Sequence, residues 1–244
     1  MSAVGGLWIT GATGYLGREL ARLRPDADTT RVEVRDPSAL AAHVERTRPD
    51  AVVHTAYRTE EWDTNAVGAA NVARAARGAR LLHLSTDVVF SGRKGTPYLE
   101  EDEPDPVNAY ARSKAEAERG VAAAHPEALI VRTSLIYGGA EPSKHELAAL
   151  DPGRVFYVDE IRSAVQVGDL AAALLELLAL DCSGALHVAG ADAVSRAEFA
   201  RLAAGREVRT SPAPPGRPLD CSLDSVRAQA MIRTRLRGVR EVLG

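Results

Sequence analysis

A doubly wound α/β fold, in which helices cover a parallel sheet and a smaller C-terminal lobe follows, is predicted by three features of the sequence. Short apolar runs alternate with helix-like segments through the first half. A glycine-rich turn follows the first of these runs and opens a helix. Beyond Gly138 the alternation loosens into loop signals, Gly138-Gly139-Ala140-Glu141-Pro142-Ser143 and Asp151-Pro152-Gly153. At 244 residues the chain accommodates one large domain, or one domain with a small second lobe.

Leu7-Trp8-Ile9-Thr10 reads as the first strand, Arg31-Val32-Glu33-Val34 as the second and Ala51-Val52-Val53-His54 as the third. Leu81-Leu82-His83-Leu84-Ser85 is the fourth, and Leu129-Ile130-Val131-Arg132 comes later. Asp36 before Pro37 supplies an N-cap and a first-turn proline for a helix over 37–47. Asn108 caps a helix from about Ala109 to Ala124. In the second half, Val155-Phe156-Tyr157-Val158 is a strand candidate, Gly168 to Leu180 an Ala/Leu-rich helix, and Leu186-His187-Val188 a short strand. Ser195-Arg196-Ala197-Glu198 spells a capping box that opens a helix to Ala204. Ser211 to Pro218 is a Pro-rich turn or linker, and Arg227 to Arg240 reads as a terminal amphipathic helix.

Composition narrows the function classes. The net charge is −3, from 30 Lys+Arg against 33 Asp+Glu, so no global basic field marks a nucleic-acid binder. No apolar run approaches the ~18 residues of a membrane span. Met1-Ser2-Ala3-Val4-Gly5 leads into an apolar strand without a basic n-region. Cys182 and Cys221 lie far apart and form no CxxC pair. The expectation is a reducing cytoplasm, with no disulfide framework and no zinc site. No HExxH or paired His/Asp spacing suggests another metal. His54, His83 and His187 sit in apolar runs and read as core histidines, and Glu100-Glu101-Asp102-Glu103 reads as a solvated loop.

Thr10-Gly11-Ala12-Thr13-Gly14-Tyr15-Leu16-Gly17 lies directly after the first strand. Glycine serves three ends there: a tight turn, close approach of backbone to a pyrophosphate, and close packing of helix on strand. The N–H groups of the helix N-terminus then receive the phosphates. The spacing is GxxGxxG rather than GxGxxG. With the change of pattern past Gly138, the turn predicts a Rossmann-type NAD(P)-binding domain over 1–138 and mainly a substrate lobe over 139–244, with residues near 155–180 expected to return to the first domain. A ribose-binding acid is expected about 20 residues on. Glu33 and Asp36 both fall near that distance, and Asp36 serves equally well as a helix cap. With no unambiguous acid, and with Arg18, Arg22 and Arg31 nearby, the expectation leans to NADP(H), NAD(H) being the alternative.

Ser85-Thr86-Asp87 ends the fourth strand on its carboxyl side, where open α/β sheets bind ligands. Downstream, Tyr110 and Lys114 are spaced i,i+4 and share a helix face. An ammonium beside a tyrosine favours the phenolate and is expected to lower its pKa. Such a tyrosine can pass a proton to a carbonyl oxygen as hydride reaches the carbon, and a Thr hydroxyl beside it can hold that oxygen.

These stretches together resemble the extended short-chain dehydrogenase/reductase superfamily and, within it, the dTDP-4-dehydrorhamnose reductase family. TGATGYLG at 10–17, STDVVFSG at 85–92 and YLEEDEPDPVNAYARSK at 98–114 carry the likeness. RTSLIYGG at 132–139, VDEIRSAVQVGDLA at 158–171 and RPLDCSLD at 217–224 follow in the family's order. Val88 stands where dehydratase relatives place an acid, which argues against dehydration. The resemblance implies hydride transfer to the 4-keto carbon of a nucleotide-linked deoxyhexose. Tyr110 would be the proton donor, Lys114 would hold the nicotinamide ribose, and Thr86 would bind the keto oxygen. Gly11, Thr13, Gly14, Tyr15, Leu16 and Gly17 would hold the pyrophosphate side of the cofactor. Glu33, Val34, Ala56, Tyr57 and Ser85 would complete its site, and Asn65 matches a position near it. Asp87, Leu135, Arg162 and Arg217 would face the substrate, with Arg154 a further candidate for its diphosphate. A homodimer is compatible with the resemblance.

Three departures bear on the substrate. Glu33 replaces the family's Asp, Leu135 often corresponds to an aromatic residue, and the loop from Arg58 to Thr64 is compressed. Trp62 in that loop either faces substrate or fills the lobe interface. Only residues 18–31 separate Gly17 from Val32, little room for a full helix and a full second strand. Two alternatives to the reductase are a non-catalytic NADP-binding subunit, like the regulatory subunit of methionine adenosyltransferase, and a reductase of a small non-nucleotide ketone.

Overall fold

The computed structural model describes residues 5–244, so the reading of Met1-Ser2-Ala3-Val4 lies outside the described residues. The chain begins with β1 (Leu7–Thr10), α1 (Tyr15–Leu23), α2 (Pro37–Thr47), β2 (Ala51–His54), α3 (Trp62–Asn65) and α4 (Val67–Ala75). Next come β3 (Arg80–Thr86), α5 (Ala109–Ala124), β4 (Leu129–Thr133), β5 (Ile136–Tyr137) and α6 (Lys144–Leu150). They are followed by β6 (Val155–Tyr157), β7 (Ile161–Arg162), β8 (Val165–Gln166), α7 (Val167–Leu178) and β9 (Gly184–His187). The remainder is β10 (Val194–Ser195), α8 (Arg196–Ala204), β11 (Arg209–Ser211), α9 (Val226–Met231) and α10 (Val239–Leu243). Among the described residues no helix is long and apolar enough to cross a membrane.

Five strands form a wholly parallel sheet in the order β1-β2-β3-β4-β9. Alternate side chains go to opposite faces. Leu7, Ile9, Val53, Leu82 and Val131 meet α1 and α7 on one side. Trp8, Val52, Leu81 and Ile130 meet α2, α4 and α5 on the other. With both faces covered, the strands are apolar throughout rather than alternating. Asp36 accepts the N–H groups of Ser38 and Ala39 at 3.0 Å each, and Asn108 accepts that of Ala111 at 2.9 Å.

The expected second strand over Arg31–Val34 does not form. After α1 the chain reaches the outer edge of β1 only at Asp28, as a single bridge opposite Trp8. Ile9 N–H donates to Asp28 O at 2.9 Å, and Asp28 N–H to Leu7 O at 2.7 Å. Trp8 Nε1 closes the edge by donating to Thr30 O at 3.2 Å. Val32 and Val34, whose alternation reads as a strand, pack instead into the α2/α4/α5 layer. The Arg-rich tail also differs, since it breaks into two short helices, α9 and α10. Ser195 Oγ accepts the Glu198 N–H at 2.9 Å, one arm of the expected box. The full reciprocal box stands at Ser143 and Glu146, where sequence reading saw only a loop.

Residues 155–166 pair outside the main sheet: β6 with β11, β7 with β10, and β8 with β5. Re-entry to the main sheet begins at Val167, through α7 against α1 and then β9 beside β4.

His54 and His83 are register partners whose rings lie 5.2 Å apart, and His54 Nδ1 is 2.6 Å from Thr10 Oγ1. Burial, reinforced by Lys114, brings His54 down to about 3 and His83 well below its ordinary value. Burial and then Arg132 bring His187 down to about 4. Each ring stays neutral in the fold but takes a proton in the unfolded chain below about 6.5. Stability is therefore full above that value and falls as the pH drops through the window below it. Calorimetric Tm should decline between pH 7 and 5, above the range where carboxylates titrate, and His187→Gln should flatten the slope. A level Tm across that window contradicts the assignment.

Candidate active site

The glycine turn is built by contacts that no side chain tolerates. Gly11 has φ +72°, and a Cβ there would sit 2.7 Å from Ala56 N. A Cβ on Gly17 would collide with Gly11 O and lie 2.7 Å from Ala12 Cα. α1 begins at an N-cap, Gly14, that offers no side-chain acceptor, so the first N–H groups are free for an anion. Gly14, Tyr15, Leu16 and Gly17 line a cleft of about 1010 Å³ at the carboxyl edge of the sheet. Gly11, Thr13 and Ala56 do not line it; Gly11 and Ala56 form the layer behind the turn. Glu33 and Val34 also lie outside the cleft. Val34 is buried against Gly68, while exposed Glu33 is gripped by Arg35 at 2.8 and 3.1 Å and held down to about 2 by that contact.

The end of β3 and the first turns of α5 meet in the middle of the cleft. Ser85, Thr86, Asp87, Tyr57, Tyr110 and Lys114 all line it. Lys114 is 4% exposed and its Nζ donates to Leu84 O at 2.7 Å. Burial draws its ammonium down to about 8, against the opposing charge of Glu118. Tyr110 departs from the expected direction. Burial, with Tyr57 and Asp87 adding to it, pushes its phenol well above the ordinary tyrosine value. The loss of water around the ring and the nearby carboxylate outweigh the ammonium one turn away. The phenol consequently keeps its proton, which is what a proton donor requires.

Asp87 is buried and its carboxyl is raised by that burial, with Arg162 the largest opposing influence. It accepts Ser134 Oγ at 2.5 Å and Thr86 Oγ1 at 3.2 Å, and Arg162 Nε lies 3.7 Å away. Arg162 lines the cleft, but its guanidinium is engaged by the backbone: Ile161 O at 2.7 Å, Pro218 O at 2.9 Å and Leu219 O. These bonds also tie Arg162 to the segment that follows Arg217.

The lobe side of the cleft carries basic side chains. Arg154, Arg196, Arg217, Lys144 and His145 all line the cleft. Arg217 pairs with Glu160 and stacks 5.1 Å from the Tyr157 ring. Arg196 is brought down to about 10 by burial and then by Arg162, and its Nη1 is 3.4 Å from His145 Nδ1. Burial, with Arg196 next, takes His145 down to about 3. Sequence reading missed Lys144, His145 and Arg196; the last is hidden inside the Ser195–Glu198 cap. Leu135 lines the cleft while packing partly against the Tyr137 cluster.

Two contacts span the cleft. Tyr15 Oη accepts Gly139 N–H at 2.7 Å and donates to Glu141 O at 3.1 Å, tying the glycine turn to the start of the lobe. Lys144 Nζ donates to Tyr57 Oη at 3.2 Å, beside the Tyr57–Tyr110 ring pair at 6.0 Å. Asn65 holds the Arg58 backbone by two hydrogen bonds and Ser113 Oγ by a third, so its work is structural. Trp62 is exposed and lies outside the cleft wall. Among the described residues no group of three or more His, Cys, Asp or Glu could hold a metal.

Comparison with known proteins places this geometry. The family described as RmlD substrate binding domain matches residues 6–243. A dTDP-4-dehydrorhamnose reductase of Mycolicibacterium smegmatis is 35% identical, over 96% of this chain and 83% of its own. One from Mycobacterium tuberculosis is 37% identical over 80% of this chain and 73% of its own. Among solved structures, the Bacillus anthracis dTDP-4-dehydrorhamnose reductase in complex with NADP superposes with TM-score 0.84 and 27% identity, covering 97% of this chain and 96% of that one. A hypothetical dTDP-4-dehydrorhamnose reductase from Sulfolobus tokodaii gives TM-score 0.83 and 30% identity, covering 95% and 96%. With the family matched across nearly its whole length, and relatives above 30% identity over most of both chains, the chain belongs to the RmlD substrate-binding family of Rossmann-type reductases.

Proposed function

We propose that this protein is an NADP(H)-dependent reductase of the 4-keto group of a dTDP-linked deoxyhexose. The observation that carries the reading is one cleft with three parts in sequence: an uncapped helix N-terminus, the Thr86/Tyr110/Lys114 set, and a wall of guanidinium groups. The reductase relatives of Mycolicibacterium smegmatis and Mycobacterium tuberculosis support the substrate class, and the NADP of the Bacillus anthracis structure supports the cofactor. The residues present fit such a dinucleotide, because the cradle at Gly11 and Gly17 is one that a Cβ would fill. Glu33, occupied by Arg35, offers no free acid to a ribose 2′-hydroxyl, which favours NADP(H) over NAD(H).

When bound, the nicotinamide supplies hydride to the carbonyl carbon. The N–H groups at the start of α1 hold the pyrophosphate. Lys114 has two donors beyond the one spent on Leu84 O, and these hold the ribose. Thr86 Oγ1 orients the keto oxygen, and Tyr110 gives it a proton as negative charge develops. Arg154, Arg196 and Arg217 receive the diphosphate, whose geometry suits guanidinium forks. Asp87 and Leu135 shape the sugar pocket, and Val88, an apolar residue, provides no acid for dehydration.

Three outcomes test this reading. Purified protein should oxidise NADPH when given a TDP-4-keto-6-deoxyhexose, faster than it oxidises NADH; the reverse preference overturns the cofactor assignment. Tyr110→Phe should lower kcat by about 10²–10⁴-fold while leaving NADPH binding intact, and an undiminished rate removes Tyr110 from the chemistry. Because Lys114 carries charge only below about 8, kcat/KM should fall as pH rises through that value. A profile flat to pH 10 would show that the ammonium is not required.

A further inference from the structure

Behind the reacting groups lies a buried charge cluster to which the proposed reaction assigns no part. Glu118 stands one turn beyond Lys114 on α5, so Tyr110, Lys114 and Glu118 form one stripe along the helix. Its carboxylate is buried and accepts Ser85 Oγ at 2.5 Å. Arg132, buried on β4, grips both carboxylate oxygens, with Nη2 at 2.9 Å from Oε2 and Nε at 3.2 Å from each. Arg132 is itself held by Glu100 O at 3.2 Å and by the Phe90 ring, 5.0 Å from its Cζ.

α5 is therefore tied to the end of β3 at two successive residues: Lys114 to the Leu84 carbonyl, and Glu118 to the Ser85 hydroxyl. Thr86 is the next residue along the strand. We propose that Glu118 is a positioning residue for the reduction, acting through Ser85 to fix Thr86 against Tyr110 and supplying the counter-charge to Lys114. The inference rests on the reductase reading above. Around Lys114, α5 contributes Tyr110 and Glu118, β2 contributes His54 and β3 contributes His83, and both rings are neutral. Around Glu118, β4 contributes Arg132 and β9 contributes His187. Glu118 is the carboxylate that opposes the effect of burial on Lys114. A buried carboxylate gripped by an arginine could serve packing alone; its link to the lysine and to the strand end makes it part of the site.

The test compares Glu118→Gln, which keeps the shape and removes the charge, with Glu118→Asp and with Ser85→Ala. The chain has three lysines, Lys94, Lys114 and Lys144, so an NMR titration of their ε-methylene groups reads Lys114 directly and needs no substrate. In Glu118→Gln, Lys114 should titrate about one pH unit lower, and the alkaline fall of kcat/KM should move down by the same amount. Glu118→Asp should restore the Lys114 titration. Ser85→Ala, which removes one hydroxyl, should lower kcat about tenfold with the alkaline fall in place, since about 1.4 kcal/mol of misplacement is enough. An unmoved Lys114 in folded Glu118→Gln overturns the counter-charge, and an unchanged kcat in Ser85→Ala overturns the positioning. Should Glu118→Gln fail to fold, Ser85→Ala still decides: wild-type kcat there overturns the proposal. Absence of keto-sugar turnover by the wild type would sink the reductase reading, a different result from an unmoved Lys114.

Discussion

One buried hydrogen bond, from Lys114 Nζ to the carbonyl of Leu84, ties the start of α5 to the central strand at the middle of the cleft. An ammonium taken out of water needs a partner, and the main-chain dipole supplies one without neutralising the charge. The bond clamps α5 against the central strand of the five, which β2 and β4 hold from either side. Tyr110 is then one helical turn away from the clamp and Thr86 two residues along the strand. Neither can shift without moving an element that the core has already fixed. Catalytic geometry is thereby inherited from packing, the more exact source when a reacting group must be placed within half an ångström or so.

Charge is distributed along the cleft in a way that follows from burial. At the glycine turn, attraction for an anion comes from aligned peptide N–H groups rather than from a side chain. In the middle, Asp87 and Arg162 face each other beside the Lys114 ammonium. At the lobe, Arg154, Arg196 and Arg217 outnumber Glu160. Two anion-seeking ends thus flank a centre in which a raised phenol holds its proton. His145, kept neutral among these guanidinium groups, adds an acceptor to the wall rather than another cation.

What the sequence makes legible is what depends on neighbours close in the chain. The glycine turn, the Asp36 and Asn108 caps and the Tyr110–Lys114 face are all set within a few residues, and they are where local pattern places them. Long-range destinations are less legible. Arg162 was read toward the cleft, yet its donors end on Pro218 and Leu219, more than fifty residues away in sequence. Val32 and Val34 alternate as a strand would, but the chain meets β1 at Asp28, opposite Trp8, and by Arg31 has passed the end of that strand, so the two valines fill a helix layer instead. The Tyr110 shift fails for a related reason, since spacing exposes the ammonium one turn off and hides the depth of burial and the Asp87 carboxylate.

The unformed second strand has a further consequence for the molecule in concentrated solution. It makes β1 one of the sheet's two outer strands, β9 being the other, and an outer strand is the position from which chains recruit one another into extended β-structure. Here Asp28 takes up the N–H of Ile9 and donates to the carbonyl of Leu7, and the Trp8 indole pins the covering segment at Thr30. A segment outside any strand thus meets this edge without extending the ladder. The shortened connection thus doubles as protection against aggregation, with the border of the sheet sealed by a segment that has no free strand edge of its own to offer.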